Sequence, residues 1–140
     1  MERLKKIIAD VVFVVQILIG FILVFENRVE IPPLLQTIGR VHPLFLHLPI
    51  GLLLLTVLLF FMRRYFAGAA LDPLLDFLLH ITALTTSITA LMGLLLSKEG
   101  TFGADQLAAH KWLGVSLSFL CWILLLFKDR LAVLKPVGLV

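Results

Sequence analysis

Four apolar runs, each near the length of a bilayer crossing, constrain this chain more than any other feature. They extend from about Ile7 to Phe25, Pro43 to Met62, Pro73 to Ser97 and Ala108 to Phe127. A membrane-crossing helix requires about 20 predominantly apolar residues. The expected fold is therefore all-α, an integral-membrane four-helix bundle. Composition agrees: 61% of residues are hydrophobic and 15% charged, where soluble domains average about 45–50% and ~25%. At 140 residues, the chain is expected to form a single membrane domain over 1–140.

The ends of the runs carry recognisable stops. Arg63 and Arg64 close the second, and Lys128 closes the fourth. Asp72-Pro73 suits a cap followed by a first-turn proline. No small-residue cleavage site follows the first run, so Glu26-Asn27-Arg28 reads as a membrane exit and not as the end of a signal peptide. Ile31-Pro32-Pro33-Leu34-Leu35 suits a short interfacial segment. The single cysteine, Cys121, forms no internal disulfide. The net charge of +3 is spread over the helix ends, which is not a nucleic-acid footprint.

Basic residues set the expected orientation. With the N-terminus inside, Arg3, Lys5, Lys6, Arg63, Arg64, Lys128, Arg130 and Lys135 are cytoplasmic, and Arg28, Arg40, Lys98 and Lys111 are outside. That distribution places both termini in the cytoplasm. The expected location is the bacterial inner membrane, multi-pass.

One motif repeats within this frame. His47 precedes Gly51 by four residues, and His110 precedes Gly114 by four. In a helix such pairs share a face, one turn apart. Histidine offers a nitrogen ligand, and glycine leaves room for a flat cofactor. The second and fourth runs both descend from the outer side, so His47 and His110 are expected at similar depth. The pattern predicts one haem b gripped between them, with Arg40 and Lys111 near its propionates. Each histidine alone could equally make a cross-helix hydrogen bond. His42, just before Pro43, suits a third ligand, a cap or a propionate partner. Pro49 either kinks the helix and aims His47 inward, or marks where the regular helix starts.

The remaining polar positions carry blander expectations. His80 lies near the opposite end of the third run, with Asp76 one turn before it. The pair suits a local hydrogen bond, and alternatively a proton or quinone-head contact. Thr86, Ala90, Gly93 and Ser97 are spaced as a close-packing face, and Gln16 with Gly20 suggests a second seam. Trp112 reads as an interface anchor and Trp122 as a lipid-facing or packing residue.

The stretch Gly39-Arg40-Val41-His42-Pro43-Leu44-Phe45-Leu46-His47-Leu48-Pro49-Ile50-Gly51 resembles the opening signature of a family of small bacterial membrane domains of uncharacterised function. Their pattern is Gly-Arg-x-His-Pro-Leu-x-x-His-x-Pro-Ile-Gly. Leu96 to Phe102, continuing to His110-Lys111-Trp112-Leu113-Gly114, resembles the second signature. The likeness spans about Ile38 to Phe127. It implies that His42, His47 and His110 are functional positions. Members often precede c-type cytochrome domains, which implies an electron-transfer partner. This chain differs by an additional run before the motif and by ending after the fourth. It holds no Cys-x-x-Cys-His, so a haem here would be non-covalent.

These features predict a haem-b-binding electron-transfer or anchor subunit with His47 and His110 as axial ligands. Its partners would be the lipid bilayer, a larger respiratory or photosynthetic complex, and a cytochrome c or other periplasmic redox protein. It is not expected to be an enzyme by itself. Two rivals remain: a cofactor-free structural subunit, and a copper or zinc site of His42, His47 and His110 at the outer face.

Overall fold

The computed structural model describes residues 1–25, 28, 32–63, 65, 71–97 and 104–133, without the side chains of residues 36, 104–106 and 129–133. The described residues are 92% helical and include no strand. Among the described residues six helices follow in order: α1 (Glu2–Val24), α2 (Pro33–Gly39), α3 (His42–Phe45), α4 (His47–Met62), α5 (Leu71–Leu96) and α6 (Ala104–Val133). Glu26-Asn27, Ile31, Arg64, the Lys98–Phe102 part of the second signature and Lys135 lie outside the described residues, as does the Arg130 side chain.

Three helices, α1, α5 and α6, are long and apolar enough to cross a membrane. The run expected at residues 43–62 is instead broken. Proline lacks the N–H that would bond the carbonyl four residues earlier. Pro49 thus leaves the Phe45 carbonyl without its helical donor. Accordingly α3 ends at Phe45, α4 starts at His47, and the axes on either side differ by 44°. The 16 residues of α4 reach only about 24 Å, so a fourth crossing needs α2 and α3 as its upper part. Pro33 at the start of α2 and Pro73 in the first turn of α5 occupy positions where a missing N–H costs little. Helix α5 starts at Leu71, so Asp72 sits in its first turn instead of capping it.

Helix α5 is the hub. It packs against α1, α2, α3, α4 and α6, and it is more buried than α1 or α6. Two apolar clusters form the core. Ile19, Ile22, Ala90, Leu94, Leu95 and Val115 make one. Ile8, Val12, Ala83, Cys121 and Leu125 make the other. The outward surfaces of α1, α4 and α6 expose large apolar side chains, among them Ile17, Phe21, Leu54, Leu58, Leu120 and Leu126. That outer surface matches hydrocarbon, not water.

Polar contacts fix direction and register. Gln16 Nε2 donates to Ser87 Oγ at 2.9 Å, Ser118 Oγ at 2.6 Å and the Ser118 carbonyl at 3.1 Å, all buried. Toward one end, Asp76 accepts from Lys5 at 2.7 Å and from Lys128 at 2.5 Å. Lys5 pairs with Asp76 and Gln16 with Ser87, so α1 and α5 run in the same direction. Lys128 pairs with Asp76 and Ser118 with Ser87, so α6 runs against them. The expected Gln16 seam is present. A Cβ on Gly20 would meet nothing within 4 Å, so Gly20 is not part of it. Nearer the other end, Thr86 and Ala90 are buried and Gly93 is tightly packed, as the small-residue spacing predicts.

Candidate functional site

Two glycines bring His42 against α5. A Cβ on Gly39 would stand 2.8 Å from the backbone nitrogen of Leu96, so only glycine lets the end of α2 approach this closely. A Cβ on Gly93 would stand 2.9 Å from His42 Cε1 and 3.2 Å from its Nδ1. The ring therefore fills the space that a side chain at residue 93 would occupy. Neighbouring Pro43 suits the first turn of α3, where His42 begins the helix.

The hydrogen bond of that ring decides its chemistry. His42 Nδ1 lies 2.9 Å from the Thr89 carbonyl oxygen. A carbonyl only accepts, so Nδ1 carries the proton and donates. In the neutral ring, Nε2 then bears the lone pair. Nε2 is buried and has no hydrogen-bond partner among the described residues. A ring tied through Nδ1–H to a backbone carbonyl, with Nε2 free, is the usual arrangement of a metal-ligating histidine.

His110, near the start of α6, faces this ring. The two ring centroids are 5.9 Å apart with planes at 77°. Ring centroids about 4.5–7 Å apart at a steep angle are the ordinary range of an edge-to-face contact. Gly114, one turn beyond His110, has open space where its Cβ would stand. Arg40 precedes His42 by two residues, and the Lys111 ammonium lies over the Trp112 ring, 5.3 Å from its centroid.

The sequence reading pairs His47 with His110; the structure pairs His42 with His110. His47 is exposed, and among the described residues no hydrogen bond or ring contact joins it to His110. The reason is local. Pro49 is the buried residue of α4, and residues two apart in a helix point nearly opposite ways. His47 and Gly51, each two positions from Pro49, must therefore turn outward. Gly51 is exposed, with nothing within 4 Å of a Cβ. Sequence reasoning placed His47 and Gly51 on one face, which is exposed here, as His110 also is. It also assigned Gly93 only to packing and passed over the Thr89 carbonyl. The Gly39-x-x-His42 spacing was the available signal.

Among the described residues, no group of three or more His, Cys, Asp or Glu gathers as a metal site, so His42, His47 and His110 do not converge. His80 lies toward the Asp76 end of α5. Its Nδ1 is 2.7 Å from the Asp76 carbonyl, the expected local bond, and 3.6 Å from the Asp76 carboxylate. Nine residues separate His80 from Thr89, about 14 Å along the helix, so His80 stands apart from the histidine pair. No protein-family model, curated protein or solved structure matches this chain.

Proposed function

We propose that the chain holds one haem b between His42 and His110 and serves as an electron-transfer and anchor subunit of a larger membrane redox assembly. The observation that carries this reading is the buried, unpartnered Nε2 of His42, oriented by Thr89 and facing the ring of His110. Iron bound by two imidazoles can change oxidation state while leaving no open position for a substrate, which suits electron transfer more than catalysis. In this reading Thr89 fixes the His42 tautomer, Gly93 seats the ring, and Gly114 leaves room beside His110. Arg40, two residues before His42, and Lys111, next to His110, are the cations assigned to propionate charge.

The distribution of basic residues supports four crossings, with α2, α3 and α4 forming one bent span and both termini in the cytoplasm. The histidine pair then lies near the outer face of a bacterial cytoplasmic membrane. A periplasmic carrier such as a cytochrome c could exchange electrons there. The likeness of the Gly39–Gly51 stretch to domains that accompany c-type cytochromes favours the same partner class.

A second reading is a cofactor-free structural subunit. It draws on the fact that the His42–Thr89 bond also clamps α3 to α5. Haem stoichiometry separates the two. Protein purified from membranes in mild detergent should carry about one haem b per chain by pyridine haemochrome assay. A haem content near zero, in protein that is folded and was expressed with haem supplied, would favour the clamp.

A further inference from the structure

The opposite end of the bundle contains a cleft of about 440 Å³ between α1 and α6. Its walls include Ala9, Phe13, His80, Trp122, Leu125 and Leu126. Small-molecule sites typically have ~300–1,000 Å³ and mostly apolar linings with a few placed polar groups. The placed group here is His80, only 3% exposed yet part of the cleft wall. Its Nδ1 donates to the Asp76 carbonyl. Nε2 is the nitrogen left for a ligand, and it makes no hydrogen bond among the described residues.

Charge narrows the ligand class. Lys5, Lys6 and Lys128 line the cleft together with Glu2 and Asp10. Asp76 binds Lys5 and Lys128, and Glu2 also pairs with Lys5 at 2.6 Å. The lining carries three lysines and two carboxylates, and Asp76 beside it neutralises Lys5 and Lys128, which leaves little net charge to draw a phosphate headgroup. The Phe13 and Trp122 rings, 6.1 Å apart at 45°, both line the cleft and give it aromatic surface. Phe13 and Leu126 are 49% and 57% exposed, so the mouth of the cleft meets the lipid-facing surface.

We propose that this cleft binds a neutral amphiphile of the quinone class. The ring rests against Phe13 and Trp122, one ring oxygen bonds to His80 Nε2, and the tail leaves along the groove between α1 and α6. An imidazole accepts from a quinol hydroxyl when neutral and donates to a quinone carbonyl when protonated, so His80 can meet either form. This site does not depend on the haem reading.

The test uses the full chain with Trp112→Phe, so that Trp122 alone reports, in nanodiscs of phosphatidylcholine. Decylubiquinol, kept reduced so that its hydroxyl can donate to His80 Nε2, should quench Trp122 fluorescence saturably. His80→Leu should weaken the apparent affinity about tenfold, near what one hydrogen bond supplies. Leu126→Trp, scored by displacement of an azidoquinone photolabel from the α1 and α6 peptides, should narrow the mouth and reduce labelling while keeping His80. This variant also guards against misfolding of the first. Non-saturable quenching, unchanged affinity in His80→Leu with unchanged labelling in Leu126→Trp, or displacement of the label by phosphatidylglycerol but not by quinone would overturn the proposal.

Discussion

Gly93→Ala exposes the energetics of the histidine seat. In an exposed helix interior, alanine is favoured over glycine by about 0.5–1 kcal/mol. At residue 93 the new Cβ would stand 2.9 Å from His42 Cε1, and its three nearest neighbours are all atoms of that ring. The backbone can stay; the ring must leave. Its departure breaks the 2.9 Å bond to Thr89 and strands a buried imidazole, at a cost of about 1–3 kcal/mol. The net expectation is destabilisation of about 0–2.5 kcal/mol, with the sign set by His42. In a His42→Ala background the obstruction is gone, and Gly93→Ala should become neutral or stabilising. The double-mutant cycle isolates this coupling. It can be read by steric trapping in bicelles, without any cofactor. Gly51→Ala, whose Cβ meets nothing within 4 Å, serves as the unobstructed control. Equal effects of Gly93→Ala in both backgrounds would refute the contact.

Other perturbations test separate parts of the structure. Gly114→Leu should lower haem content while insertion is retained, since leucine favours insertion by a few tenths of a kcal/mol; normal haem content would make Gly114 irrelevant to the cofactor. Gln16→Leu removes the donor shared by Ser87 and Ser118 and should cost about 0.6–1.7 kcal/mol, the range for polar contacts between membrane helices; a gain in stability would show that the network does not hold the three helices. In a Cys121→Ala background, a cysteine at Glu99 or Thr101 should react with an impermeant reagent added to intact cells, and one at Ala67 or Leu134 should not. Reversed labelling would invert the proposed orientation, and labelling of Arg40→Cys and Thr101→Cys from opposite sides would end the four-span topology.

The apolar runs made the long helices legible, because length and hydropathy alone decide whether a segment can cross a bilayer. The Asp76–His80 bond and the Gln16 seam were also legible, since each rests on spacing within one helix or on a lone polar residue in an apolar run. What escaped was rotation. Hydropathy is nearly uniform around α4, and beyond His47 only Thr56, which meets Thr82 at 3.2 Å, hinted at an inner face. Pro49 supplied that face, and the sequence showed only that Pro49 would disturb the helix. The seat of His42 depends on Gly39 and Gly93, which are 54 residues apart in the chain and meet only through packing of α2 on α5. The ion cluster of Lys5, Asp76 and Lys128 joins three helices, and the charges of each helix alone gave no sign of it.

The optical spectrum of the purified chain and its three histidine variants tests the central claim most directly. Wild type and His47→Ala should show the same low-spin, six-coordinate haem b spectrum. His42→Ala and His110→Ala should each lose haem or show a five-coordinate spectrum, because each removes one of the facing rings. A wild-type protein without a Soret band after native extraction would contradict the account. So would a low-spin spectrum that survives His42→Ala but is lost in His47→Ala, which would return the axial role to the outward-facing histidine.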